Sequence, residues 1–146
     1  MAYLYKTATK ADKEQIFQLY RFVMHDSIDK IWGWKETWQI MDFNYHFKPE
    51  SITLTFEKDK LIAYSQLESI DNHLHLRMLI VHPDNQGKGV GGELLKKSLS
   101  VANEQSIQLQ LEVFKINKRA LRFYEEYGFT IVKEKLNSYL LSSSQS

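Results

Sequence analysis

The chain has 146 residues, 43% of them hydrophobic and 25% charged, proportions that suit one soluble domain and exclude a disordered segment. Nineteen basic against eighteen acidic side chains provide no overall field for nucleic acid or an acidic membrane, leaving only local clusters such as Lys115, Lys118 and Arg119. The absence of cysteine excludes disulfides, thiolate metal sites and a cysteine nucleophile, and no run approaches the roughly 18 apolar residues of a membrane span.

The first residues, MAYLYKTATKADKE, lack the apolar run of a signal peptide, so a cytoplasmic location is expected. YLYKTAT reads as a short strand. Ile16, Leu19, Tyr20 and Val23 recur at helical spacing and predict a helix from Ala11 to about Met24. After W-G-W at 32–34, a second helix is expected from about Lys35 to Phe47, with Trp34 and Trp38 on one face. SITLTFEK (51–58) and LIAYSQLES (61–69) read as a hairpin turning at Asp59–Lys60, and HLHLRMLIV (73–81) follows a turn at Asp71–Asn72.

Pro83 and a run of glycines end that strand. ELLKKSLSVANEQ continues as a helix whose apolar stripe is Leu94, Leu95, Leu99 and Ala102. IQLQLEVF (107–114) is a further strand. NKRALRFYEEYGF then forms a helix with Asn117 as its N-cap and Gly128 as its terminator. Two short strands near 130–135 and 137–141 close the domain, and SSSQS (142–146) reads as a flexible tail. The order is strand, two helices, a three-stranded meander, then helix, strand, helix, strand. That is a mixed α+β sheet with helices packed on it.

Four of the six glycines fall in positions 87–92. Glycine loses more backbone entropy on folding than any other residue, so such a cluster answers a need. One reading is a loop that simply requires positive φ. A second is a dinucleotide fingerprint, because Gly87, Gly89 and Gly92 satisfy G-x-G-x-x-G and Glu112 lies twenty residues further on. Against it, Pro83 to Gln86 separate strand from glycine, Glu112 falls inside a strand, and too little chain follows for a doubly wound sheet. A Walker A loop lacks its Lys–Ser or Lys–Thr. The third and favoured reading is a pyrophosphate cradle at the mouth of the next helix, where free N–H groups and the helix dipole favour a diphosphate.

Gln86-Gly87-Lys88-Gly89-Val90-Gly91 matches Q/R-x-x-G-x-G/A, and the chain thereby resembles the GNAT N-acetyltransferase superfamily. NKRALRFYEEYGF resembles that family's second motif: an Asn, a Tyr seven residues later, then a terminal G-F. The match is good over residues 51–135 and rests on element order alone before that. W-G-W followed by acids and Gln39 resembles a bacterial subgroup of the family.

The resemblance implies a GNAT fold, a mostly antiparallel sheet with helices on both faces and two splayed central strands, here 73–81 and 107–114. It implies acetyl-coenzyme A as acetyl donor and no metal. Backbone amides of Gln86, Gly87, Lys88, Gly89, Val90, Gly91 and Gly92 would hold the pyrophosphate. The main chain of Leu79, Ile80 and Val81 would pair with the pantetheine arm. Asn117 would touch that arm, and Lys118 or Arg119 the adenosine phosphates.

Acyl transfer to an amine requires a neutral amine, a stabilised oxyanion and a protonated leaving thiolate. In the family a strand N–H, near Ile80 or Val81, meets the oxyanion. Tyr124 is the candidate acid, protonated at neutral pH because a phenol's pKa is about 10; packing on the apolar side of its helix is the competing reading. His73, His75 and Arg77 share a strand face; in the family that part of the strand often carries a carboxylate or histidine that takes the amine's proton through water, so the resemblance makes His75, then His73 and Glu68, candidate bases. An exposed strand histidine without a role explains His75 equally well.

In many relatives the early helices and their connecting loop wall the acceptor pocket, so the resemblance makes Trp32, Trp34, Glu36 and Tyr45 candidates for acceptor binding through aromatic faces and a carboxylate, against the alternative that the tryptophans fill core. The expected activity is N-acetyl transfer to a primary amine, on a small molecule or a peptide, by direct attack in a ternary complex. The alternatives are a non-catalytic acyl-coenzyme A sensor on the same fold and, more remotely, a dinucleotide-binding domain. No nucleic-acid or membrane partner is expected, and homodimers are common in the family.

Overall fold

The computed structural model describes residues 3–144. Their elements follow as β1 (Tyr3–Thr7), α1 (Lys13–Trp32), α2 (Glu36–His46), β2 (Ile52–Glu57), β3 (Lys60–Ile70), β4 (His73–Val81), α3 (Val90–Glu104), β5 (Gln108–Phe114), α4 (Lys118–Glu126), β6 (Thr130–Glu134) and β7 (Ser138–Ser142). The seven strands form one sheet in the order β1-β2-β3-β4-β5-β7-β6. Its parallel pair is β4 with β5, whereas β1–β2, β2–β3, β5–β7 and β6–β7 are antiparallel. The mixed α+β architecture and the element order are those expected. The chain makes two compact units: one from the chain up to Gln66 with Met78–Leu94, the other from Leu67–Arg77 with the chain from Leu95 onward.

In the first unit, α1 buries Ile16, Phe17, Leu19, Tyr20 and Ile28. It runs eight residues beyond the expected end at Met24, because Ile28 prolongs the buried stripe and no breaker intervenes before Gly33. Gly33 adopts φ 81° and its N–H closes on the Asp29 carbonyl at 2.9 Å, ending the helix. Trp34 therefore lies in the connecting segment before α2, and it does not share a helical face with Trp38 as the spacing suggested.

The β2–β3 hairpin pairs Ile52 with Gln66 through to Glu57 with Lys60, so its turn is Lys58–Asp59, one residue earlier than expected. Lys58 takes the left-handed conformation there, φ 56°. Leu61 to Gln66 are all buried, as a strand covered on both faces requires. Ile62, Ala63, Val90 and Leu94 form a core cluster against which Tyr3, Tyr5, Leu79 and Val81 pack. Each fully buried aliphatic side chain of this kind contributes about 1.5–3 kcal/mol.

In the second unit, β4 pairs with β5 from His73↔Gln108 to His75↔Gln110. Alternation along β5 buries Leu109, Leu111 and Val113 and turns Gln108, Gln110 and Glu112 to the opposite face. Along α3, whose start up to Leu94 belongs to the first unit, the buried positions are Val90, Gly92, Leu94, Leu95, Ser98 and Ala102; Leu99, expected in that stripe, is half-buried and Ser98 takes its place.

The expected tail starts too early. Gln110 pairs with Ser142, so β7 includes that residue. Ser143 is buried, receiving the Leu109 N–H on Oγ at 2.9 Å and donating its own N–H to the Leu109 carbonyl at 2.8 Å. The ladder with β5 is what carries the chain's order past Leu141. Gln145 and Ser146 lie outside the described residues. Among the described residues no helix is long and apolar enough to cross a membrane.

Candidate active site

Strand β4 ends at Val81, and Pro83–Asn85 make one tight turn closed by the Asn85 N–H on the His82 carbonyl at 2.8 Å. His82 is fixed from several sides. Its N–H donates to the Ile62 carbonyl at 2.7 Å, its Nδ1 accepts from the Asp84 N–H at 3.1 Å, and its ring stacks on Phe22. The Gln86 side chain reaches back, donating to the Val81 carbonyl at 3.1 Å.

Beyond these anchors, Gly87 and Gly89 adopt φ 79° and 85°. No atom lies within 4 Å of where a Cβ would stand at either. Glycine is required there by the sign of φ, and the space over the main chain is open. Gly89 accepts the Glu93 N–H at 3.0 Å and so leads directly into α3. The N–H groups of Val90, Gly91 and Gly92 precede the first helical donor, the Glu93 N–H, and carry the positive end of the helix dipole. The open, positive-φ loop and these N–H groups fit a diphosphate. Gly92 and Val90 are buried, whereas Gln86 to Gly89 are exposed. Just before the loop, Ile80 is buried on one strand face while Leu79 and Val81 pack toward Val90 and Leu94.

In the second unit, Tyr124 is 9% exposed on α4, its ring set edge-on to Phe123 and Phe129 at 5.2 and 5.9 Å. The turn at Gly128 (φ 91°) brings Phe129 back, and its N–H donates to the Tyr124 carbonyl at 3.1 Å. Burial pushes the Tyr124 pKa well above the ordinary phenol value, so the hydroxyl stays protonated through the neutral range. Asn117 caps α4 by accepting the Ala120 N–H on Oδ1 at 3.1 Å, which commits its oxygen and leaves its amide NH2 for another group. Lys118 and Arg119 are exposed in the following turn.

His73 and His75 share one face of β4, half-buried, with ring centroids 6.4 Å apart. The parallel register sets Gln110 beside His75, and Glu112 is the next residue of β5 on that face. Glu112 accepts from Lys135 Nζ at 2.7 Å and from Ser138 Oγ at 3.1 Å. Burial raises its pKa, but those two bonds and the charges of Lys135 and His75 outweigh that and hold it below the usual value. For His75, burial dominates and lowers the pKa, reinforced by His73 and Arg77 and opposed by Glu112 and Glu68. His75 is thus a neutral imidazole at neutral pH, able to accept a proton. Sequence reading considered Glu112 only as a ribose ligand and passed over Lys135 and Ser138. Their arrival beside it depends on the β5–β7 pairing, which leaves no local signal.

Of the residues read as acceptor-binding, the structure brings Trp34 and Glu36 together. The Trp34 indole N–H donates to Glu36 Oε1 at 2.7 Å, and Arg21 lies 3.3 Å from Oε2. Trp34 also packs against Tyr20 and His25 at 6.2 and 4.9 Å. Trp32 is 58% exposed and Tyr45 81% exposed, so neither fills core. Glu36 lines a pocket of about 510 Å³ with Phe17, Ile40 and Phe43. Among the described residues no three His, Asp or Glu side chains gather as a metal site.

Comparison with curated proteins finds no match. Solved structures do match along nearly the whole chain. An N-acetyltransferase from Thermoplasma acidophilum, solved in complex with coenzyme A, superimposes with TM-score 0.81 at 18% identity, covering 99% of each chain. The ribosomal-protein-S18-alanine N-acetyltransferase of Escherichia coli gives TM-score 0.77 at 15% identity, covering 99% of this chain and 95% of its own. An Arabidopsis thaliana protein in complex with the bisubstrate analogue CoA-Ac-MVNAL gives 0.68 at 18% identity, covering 99% of each. These likenesses establish the fold. At the level of sequence, the acetyltransferase (GNAT) family matches residues 14–129, and the chain belongs to that family.

Proposed function

We propose that the protein transfers an acetyl group from acetyl-coenzyme A to a primary amine, by direct attack in a ternary complex. The observation that carries this reading is the loop from Gln86 to Gly89. Two glycines with positive φ and open space above them lead into the N-terminus of α3, a build that suits a diphosphate. The Thermoplasma neighbour, solved with coenzyme A, and the Arabidopsis neighbour, solved with a coenzyme A bisubstrate analogue, support the same ligand class.

Bound acetyl-coenzyme A supplies a thioester already activated for attack by an amine. The chain's own groups then have distinct tasks. The amides from Gln86 to Gly92 hold the pyrophosphate, and the main chain of Leu79, Ile80 and Val81 orients the pantetheine. An N–H near Ile80 or Val81 meets the charge that develops on the acetyl oxygen. Asn117 donates to the pantetheine through its free NH2. Lys118 and Arg119 meet the adenosine phosphates. Tyr124, held protonated by burial, keeps a proton for the departing thiolate. His75, neutral at neutral pH, accepts the amine's proton, with His73 beside it.

The acceptor is an amine on a small molecule or a peptide. The Escherichia coli neighbour, an alanine N-acetyltransferase of a ribosomal protein, supports including a peptide amine. Calorimetry with acetyl-coenzyme A tests the reading, with Gly89→Glu as the variant and NAD as the control. Micromolar binding by the wild type, lost in a folded Gly89→Glu, is the expected result. Preference for NAD, or no binding at all, would overturn it.

A further inference from the structure

Asn85 is the last residue of the turn before the glycines, a position where a polar side chain ordinarily reaches water. Here it is 4% exposed. Its Nδ2 donates to Oε1 of Glu57 at 3.2 Å, across a sequence separation of 28 residues. Glu57 ends β2, where it pairs with Lys60 on one side and Tyr3 on the other. Its second oxygen, Oε2, is buried with no partner among the described residues. A buried carboxylate oxygen without a donor is costly, so Glu57 depends on the bond that Asn85 supplies.

The other anchors of the loop, the His82 N–H and the Gln86 side chain, fasten it to the ends of β3 and β4. The Glu57–Asn85 bond instead ties the far end of the turn to β2. Gln86 alone separates Asn85 from Gly87. Any displacement of Asn85 therefore moves the amides of the loop, and hydrogen bonds to an anion weaken steeply with misalignment.

We infer that Glu57 and Asn85 are positioning residues that form a strut holding the glycine loop in its ligand-binding shape. The inference rests on the coenzyme A reading above. A loop held in shape before binding spares the ordering cost that a slack loop would incur on meeting its ligand.

A donor–acceptor swap tests it, reading the dissociation constant for coenzyme A by calorimetry and the melting temperature. Glu57→Gln keeps the acceptor for Asn85 and should bind within about twofold of wild type. Asn85→Asp sets two carboxylates face to face and should weaken coenzyme A binding roughly tenfold or more. Glu57→Gln combined with Asn85→Asp remakes the bond with its polarity reversed, and binding should return to within about threefold of wild type. Merely structural damage at Asn85 would not be repaired by a second change 28 residues away.

Wild-type affinity in a folded Asn85→Asp protein would overturn the strut. So would a folded double variant that still binds tenfold more weakly, and this comparison stands even where the single variant fails to fold. Failure of the wild type itself to bind coenzyme A would instead remove the reading on which the strut rests.

Discussion

The Trp34 indole donates to Glu36 at 2.7 Å while Arg21 sits 3.3 Å from the other carboxylate oxygen. The Trp34 main-chain N–H donates in turn to Asp29 Oδ1 at 2.8 Å. This network ties the segment between α1 and α2 back onto α1. Both Glu36 oxygens take part in this network, so Glu36 braces the segment whatever it meets in the acceptor pocket. Glu36→Ala should lower stability by about 1 kcal/mol. The figure is small because Glu36 and Arg21 are 41% and 43% exposed and water screens them. Coenzyme A affinity should not change. Thermal melting beside calorimetry checks both, and an unchanged melting temperature would count against the brace.

Tyr124→Phe removes the hydroxyl and keeps the ring, which is 9% exposed and packed edge-on to Phe123 and Phe129. The substitution conserves the volume that this packing fills, so the melting temperature should change little. Coenzyme A affinity should also hold. Turnover at saturating acetyl-coenzyme A should fall by about 10²-fold, the usual range for losing a general acid. Full turnover in this variant would mean that Tyr124 is only packed against Phe123 and Phe129. A protein that never turned over, wild type included, would instead be a coenzyme A sensor.

Most of the fold is legible in the sequence because it is written in local periodicity. Alternation gives β2, β4 and β5, a short apolar run between turn signals gives β3, and Asn117 and Gly128 bracket α4. The errors arise where a tertiary partner decides. Helix α1 overruns Met24 because residues 25–32 have no breaker and Ile28 finds a buried place. The Gly87–Gly92 loop was legible through its glycines. The environment of His75 was not, since Glu112, Lys135 and Ser138 are collected by strand pairing. Nor was Glu57–Asn85, whose two members carry no pattern of their own.

Ser143 was read as tail and is instead a bridging residue at the end of β7. Its Oγ accepts the buried Leu109 N–H, and its own N–H answers the Leu109 carbonyl. Ser143→Ala leaves the Leu109 N–H unsatisfied and should cost about 1–3 kcal/mol. Ending the chain at Leu141 removes both bonds together with the Gln110↔Ser142 pair, and it should cost more than the point substitution. Urea unfolding of the two variants gives the comparison. Equal stability of the shortened and full chains would restore the flexible-tail reading.

The pH dependence follows from His75. Its folded pKa lies below the ordinary 6.5, chiefly through burial. Between the two values the unfolded chain binds more protons than the folded one, so stability rises with pH there. This contribution is complete above about 6.5 and is lost as pH falls from 6.5 through the folded pKa. The same neutral imidazole accepts the amine's proton, so the acid limb of the rate profile should lie below 6.5 and leave the neutral range flat. His75→Gln should abolish that limb and lower the rate by about 10²-fold, while flattening the stability slope over the same interval. Glu112 faces His75 and raises its pKa, with Glu68 acting in the same sense and His73 and Arg77 against. Glu112→Gln should therefore move the limb and the His75 imidazole titration, followed by NMR, together to lower pH. A limb that stays in place in both variants would assign the proton to another acceptor, His73 first among them.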